Sequence, residues 1–287
     1  MKKQIYLIPI TFLLALINYQ AHSQNTILWE ITDTINKKTS VILGSFHQYG
    51  NSFIDSIPII ADYLNSSEIA IFEALNDNGK TINMINDRKD TDIKRYIRKK
   101  TYYQLLDLSK EWDVNLNKLR PIELSWKLEQ EYVKNKCNTV KKSDNWDHMD
   151  SYIEFLADEK GIPVSSFETY EEQVELISEN YQTPNWKKQN KRIKYLTNLH
   201  LSPKINQEKC ANAKNYKSFK IPYQFDIECP SNILIKKRNA EWMIKLGDLT
   251  RNHKCFIVVG YDHLRWKCGL LEQLKQQGLI VKPLNIK

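Results

Sequence analysis

Glycine is scarce in this 287-residue chain, with eight in all. Beside 15 tyrosines and seven tryptophans, that scarcity argues against a disordered protein. Paired cysteine motifs are missing too. The five cysteines (Cys137, Cys210, Cys229, Cys255, Cys268) include no Cys-x-x-Cys, so neither a zinc ribbon nor a thioredoxin-like site is expected. Beyond residue 23 no run is long and apolar enough to span a bilayer. Acidic residues are nearly absent from residues 184–220, where ten Lys or Arg face the single acid Glu208. Most of the chain's excess charge, +8 overall, sits there. A basic run can hold nucleic acid or anionic lipid, but Trp186 and Tyr195 are too sparse for a stacking platform. The stretch is read as a solvated helical face, with no nucleic-acid partner.

What is present begins with an export signal. Lys2 and Lys3 precede an apolar run from Ile5 through Ile17, and Ala21-His22-Ser23 supplies the small-x-small exit. Cleavage after Ser23 leaves Gln24 first. A retained anchor is the rival, disfavoured because the run is shorter than the ~20 residues a spanning helix needs and Pro9 interrupts it. No cysteine lies near the cleavage point to carry a lipid. Residues 24–287 then form one periplasmic or secreted domain, in an oxidising compartment. An odd cysteine count leaves at least one free thiol or an intermolecular bond. Cys210 and Cys229 are expected to pair, closing a Pro-rich insertion, with Cys255 and Cys268 as the competing pair.

Short β-type runs occur at residues 26–31, 40–43, 69–72, 162–167, 255–259 and 279–284. Helical spacing marks residues 54–64, 102–112, 124–132, 152–157 and 270–274. The expected fold is α/β. A central mixed, largely parallel sheet is formed by the N- and C-terminal segments, and a helical middle region caps it. Residues 184–230 contain Pro184, Pro203, Pro222 and Pro230 without a clear period, and are read as an irregular insertion.

Two segments carry chemistry. Val41-Ile42-Leu43-Gly44-Ser45-Phe46-His47 is an apolar strand that stops at a glycine and presents a histidine three residues later. Phe256-Ile257-Val258-Val259-Gly260-Tyr261-Asp262-His263 repeats the device. The glycine permits a positive φ or a close backbone approach. The histidine then stands at the carboxyl edge of the sheet, where open α/β folds bind ligands. Two other runs end in carboxylates, Glu73 and Glu168. If the strands are parallel neighbours, two imidazoles and two carboxylates share one rim. That set suits a divalent metal with an open position for water, and equally a metal-free hydrolysis with His47 as general base and Glu73 orienting its ring. Taken singly, each His can be structural and each Glu a solvated rim residue. His148, His200 and His253 lack the strand-glycine context and are read as surface or structural.

These residues resemble the TraB/GumN/Tiki superfamily, whose pattern is a Gly-x-x-His after a strand, a strand ending in Glu and a second Gly-x-x-His-Leu near the C-terminus. The matching stretches are residues 42–47, 69–73, 121–124, Phe167-Glu168-Thr169 with Gln173, Arg238-Asn239, and 258–264 followed by Gly269-Leu270 and Gly278. The resemblance covers nearly the whole mature chain. Its Tiki branch looks like a metal-dependent protease, and more distant relatives look like erythromycin esterases and haem-iron binding proteins. It implies that His47, Glu73 and His263 are the catalytic or metal-binding set, with Glu168 and Arg238 in support. Three departures stand out: Trp266 where a glycine is usual after the second His-Leu, His148 where a glycine often precedes the Met149-Asp150 pair, and the insertion.

The resulting expectation is an exported hydrolase acting on a peptide, ester or similar bond of a small-molecule or peptide substrate. A divalent metal on His47, His263 and Glu73 would lower the pKa of bound water, and Glu73 or Glu168 would carry the proton. Arg238 either stabilises developing negative charge or forms a salt bridge with Glu73 or Glu168. The alternative is a non-catalytic protein that holds a metal, haem or other ligand at the same rim. A third reading is a cell-surface interaction module with a vestigial site.

Overall fold

The run from Cys255 to Gly260 is apolar without a break, and all six residues are buried. A strand of that kind belongs where both faces of a sheet are covered. In the computed structural model, which describes residues 25–180, 186–230 and 233–286, it is the fifth of six strands. These are β1 (Leu28–Asp33), β2 (Lys38–Ser45), β3 (Ile69–Phe72), β4 (Val164–Ser166), β5 (Cys255–Gly260) and β6 (Ile280–Pro283). They lie in the order β4-β3-β5-β2-β1-β6. Strands β2, β5, β3 and β4 are parallel to one another, while β1 runs antiparallel to β2 and β6. The sheet is therefore mixed and mostly parallel, and the two ends of the chain supply all of it except β4. Burying each large aliphatic side chain of β2 and β5 contributes roughly 1.5–3 kcal/mol.

Among the described residues, twelve α-helices surround the sheet: α1 (Asn51–Asp55), α2 (Pro58–Asn65), α3 (Lys80–Asn86), α4 (Ile93–Tyr96), α5 (Lys99–Leu108), α6 (Pro121–Lys136), α7 (Met149–Glu159), α8 (Tyr170–Asn180), α9 (Trp186–Leu201), α10 (Ala211–Lys217), α11 (Ile233–Asn252) and α12 (Leu270–Gln276). The helical middle has an apolar cluster of its own, including Leu105, Leu124, Leu128, Ile193 and Leu196. The long helix α6 opens on Pro121, whose missing N–H costs nothing in a first turn. Glu123 closes that turn by accepting the Arg120 N–H at 2.8 Å.

Two expectations are corrected here. Residues 184–230 are not irregular throughout, because α9 and α10 occupy much of the segment. In α9, Trp186, Ile193, Leu196 and Thr197 recur at helical spacing and are buried, and the helix packs along α6. Lys187, Lys191 and Lys194 take the exposed face. The disulfides also differ from the expected ones. Cys137, at the end of α6, pairs with Cys210, at the start of α10, with Cα atoms 5.3 Å apart. Cys229 pairs with Cys268 at 5.8 Å. Cys210 and Cys229 are drawn to different elements, and a bridge needs Cα atoms within about 7 Å. Cys255 opens the central strand and is a buried free thiol, so it does not meet Cys268. The export signal read over residues 1–23 lies outside the described residues. Among the described residues, no helix is long and apolar enough to cross a membrane.

Candidate functional site

The parallel register of β2 and β5 sets Ser45 opposite Gly260, so both Gly-x-x-His turns leave the sheet at the same edge. The glycines serve close approach, since neither has a positive φ. A Cβ on Gly44 would lie 2.8 Å from Leu264 Cδ1 and 3.1 Å from the Tyr261 Cα. On Gly260 it would lie 3.1 Å from both Glu73 Oε1 and His47 Nε2. Glu73 directly follows β3, and its Oε1 accepts the Gly260 N–H at 2.6 Å. One oxygen thus ties the third strand to the second turn, 4.0 Å from His47 Nε2 and 3.7 Å from His263 Nε2.

His47 is oriented by Asp150, a residue outside the expected set. Its Nδ1 lies 3.0 Å from Asp150 Oδ2, and Ser45 Oγ stands 3.4 Å from the same nitrogen. Asp150 sits in the first turn of α7, where the helix dipole favours a carboxylate, and the Met149 N–H fixes that helix by donating to the His47 carbonyl at 3.1 Å. Burial disfavours a charged imidazole, but the adjoining Asp150 carboxylate, helped by Glu73, outweighs it and raises the His47 pKa to about 9. Burial likewise opposes charge on Asp150, yet His47 holds its carboxyl below the usual range. The other oxygen, Oδ1, is buried without a hydrogen-bond partner among the described residues. His148, expected at the surface or in a structural role, caps α7 and also stacks on His47, with ring centroids 5.3 Å apart. Burial drives its pKa down to about 4.

His263 is held in the opposite protonation state. Asn239 donates its amide hydrogens to the carbonyls of His263 and Cys268 at 3.0 and 2.8 Å. Its oxygen is therefore an acceptor, and His263 Nδ1 donates to it at 2.6 Å. The Nε2 lone pair then accepts from Arg238 Nη1 at 3.1 Å. Burial, with Arg238 adding to it against the pull of Glu73, lowers the His263 pKa to about 3. Asn239, like Asp150, lies outside the expected catalytic or metal-binding set.

Arg238 projects from α11 into the centre. It bonds Glu73 Oε2 through Nη2 at 2.6 Å, Glu168 Oε2 through Nε at 3.1 Å, and Glu168 Oε1 through Nη2. Its guanidinium lies 4.5 Å from the centroid of the Trp242 ring. The expected salt bridge is thus made to both carboxylates. Of its five N–H groups, one on Nη1 has no partner among the described residues. Although burial works against it, the charges of Arg238 and His47 hold the Glu73 carboxyl far below the ordinary carboxylate range, so Glu73 is a fixed anion.

His47, Glu73, Arg238 and His263 line one cleft of about 520 Å³, walled by residues that include Trp126, Gln130, Gln173, Asn212, Tyr261 and Trp266. Glu168 stands behind Arg238 and is not part of the lining. His200, bonded to the Leu128 carbonyl, and His253, beside Glu68, lie apart from it. For a divalent ion the donor types are suitable, but the arrangement is not. Arg238 occupies the lone pair of His263, and both Glu73 oxygens are engaged. Among the described residues no group of three His, Cys, Asp or Glu side chains is arranged to hold a metal ion.

The family model described as TraB/PrgY/gumN family matches residues 27–283, which contain the whole sheet and every residue of the site. The chain belongs to that family. No curated protein matches it.

Proposed function

We propose that this member of the TraB/PrgY/gumN family is a hydrolase of ester, peptide or similar carbonyl bonds, with His47 as its proton carrier. The observation that carries the reading is the 3.0 Å contact of Asp150 with His47 Nδ1, which leaves Nε2 facing the cleft. Neutral His47 takes a proton from water at Nε2, and the water oxygen adds to the carbonyl carbon. The carbonyl oxygen, now negative, meets the remaining N–H of Arg238 Nη1, a donor held in place beforehand by Glu73, Glu168 and His263. The C–O or C–N bond then breaks, and the imidazolium returns its proton to the leaving atom. Glu73 carries no proton in this scheme. It anchors Arg238 and offsets its charge.

With its pKa near 9, only about one His47 in a hundred is in the base form at pH 7. Turnover of p-nitrophenyl esters and of peptide amides should therefore climb with pH toward about 9 and fall by roughly a hundredfold or more in His47→Ala. Wild-type protein that hydrolyses none of these substrates across that range would refute the proposal.

The second reading, a protein that holds a metal or another ligand without turnover, is favoured by one feature. Both imidazoles have Nδ1 tied to an acceptor, as metal-ligating histidines do. It requires Arg238 to leave His263. Metal analysis of wild-type protein beside His47→Ala and His263→Ala decides it, since bound metal lost in both variants would support it.

We further propose that the protein works outside the cytoplasm. Two disulfides suit an oxidising compartment, and the N-terminal signal pattern supplies the route. Intact mass of the exported protein should place Gln24 first, and a retained Met1 would contradict the assignment.

A further inference from the structure

Trp266 has a φ of +64°, in the left-handed region that side chains with a Cβ avoid and glycine enters freely. Its neighbours impose that conformation. The Trp266 N–H donates to the Tyr223 carbonyl at 2.8 Å and the Lys267 N–H to the Ile227 carbonyl at 3.1 Å, while Cys229–Cys268 ties the same two segments. A glycine would satisfy the backbone without strain, so the indole answers to something other than the turn. Its Nε1–H donates to Gln224 Oε1 at 3.0 Å, and the Arg265 guanidinium lies over the ring, 4.3 Å from its centroid. The polar tip and one face are thus taken. The ring is held firmly as part of the cleft wall that contains His47 and Arg238.

A second observation concerns the rest of that wall. The side-chain amides of Gln48, Gln130, Gln173 and Asn212 line the cleft and have no hydrogen-bond partner among the described residues. Among the described residues, the one charged lining residue outside the His47 cluster, Asp262, is paired with Arg265 at 2.7 Å. An amide offers a donor and an acceptor together, which matches a hydroxyl, itself both. An anionic or cationic polymer would call for unpaired charges along the wall, and a buried aromatic side chain for a drier one.

We propose that Trp266 is a specificity-determining platform for a neutral saccharide ring, whose C–H face rests on the indole while its hydroxyls pair with the cleft amides. The proposal deepens the hydrolase reading by naming a substrate class, but binding at the platform does not depend on turnover.

Calorimetric titration with chitotetraose tests it on wild type, Trp266→Phe, Trp266→Gly and Trp266→Ala. Wild type should bind, the Phe variant should bind within about threefold of it, and the Gly and Ala variants should be weaker by about tenfold or more. Because only glycine relieves the left-handed backbone, Trp266→Gly should melt above Trp266→Ala. Absence of chitotetraose binding by wild type, equal binding by all four proteins, or tighter binding of N-acetyltryptophanamide would overturn the proposal. So would a Gly variant melting no higher than the Ala variant. Chitotetraose binding without turnover of any ester or amide leaves the platform standing and counts against the hydrolase alone.

Discussion

Asp150 and His47 meet at 3.0 Å, the first from the opening turn of α7 and the second from the loop after β2. The contact sets both the tautomer and the charge of the ring. Asp150→Asn keeps the shape and removes the charge, leaving burial and Arg238 to act against protonation of His47. Its ring titration, followed by NMR, should drop from about 9 in wild type to below about 7 in the variant. The rising limb of any hydrolytic pH profile should move with it. An unmoved titration would remove Asp150 as the cause.

The two rim histidines give stability opposite pH slopes. The folded-state pKa of His47, about 9, lies above the ordinary 6.5. Its contribution is therefore complete below 6.5 and lost as pH rises through 9. The pKa of His263, about 3, lies below 6.5, so its contribution is complete above 6.5 and lost as pH falls toward 3. Urea midpoints measured across this range should decline on both sides, and His47→Ala should flatten only the alkaline side. Unchanged alkaline behaviour in that variant would rule out His47 as its source.

Glu73 is the anion on which the centre depends, contacting Arg238, Gly260 and both imidazoles. Glu73→Gln leaves the guanidinium short of a buried partner. The expected cost is about 3–5 kcal/mol of unfolding free energy, read from denaturant titration. A loss near zero would mean that Glu168 alone suffices for Arg238.

The glycines of the two turns should fail in different ways. Gly44→Ala drives a methyl to 2.8 Å from Leu264 and to 3.1 Å from the Tyr261 backbone, which should cost about 1–3 kcal/mol of stability. Gly260→Ala places its methyl 3.1 Å from Glu73 Oε1 and His47 Nε2. It should lower kcat/KM by about tenfold or more with a smaller change in Tm than Gly44→Ala. Equal thermal loss and intact activity in Gly260→Ala would contradict this division.

Strand β5 was legible because six apolar residues in a row have few other uses, and the histidine after each glycine was legible because the same device occurs twice. Asp150 was not. In the sequence it is an acid at the start of an amphipathic helix, the place where a capping or dipole-pairing carboxylate is ordinary, and only α7 folding back onto the β2 loop gives it His47. Asn239 was hidden for a similar reason, since its partners are two backbone carbonyls and a ring 24 to 29 residues away. Helix α9 was masked by flanking prolines and by lysines on its outer face, although Ile193, Leu196 and Thr197 already kept a helical period. The disulfides follow from where α6 and α10 end in space, which spacing along the chain does not encode.

Because β5 fills the gap between β2 and β3, the order in which the chain is made matters to the site. Until residues 255–263 have been synthesised, β2 and β3 have no common neighbour and Glu73 has no Gly260 N–H to accept. His47 and Asp150 can meet earlier, but Arg238 and His263 arrive only with the last fifth of the chain. The centre therefore closes through contacts of long sequence separation, the kind formed late because loop-closure entropy must be overcome first. A chain stopped short of residue 255 would hold His47, Glu73, Asp150, Glu168 and Arg238 but lack the Gly260 N–H and the His263 lone pair that align Glu73 and Arg238.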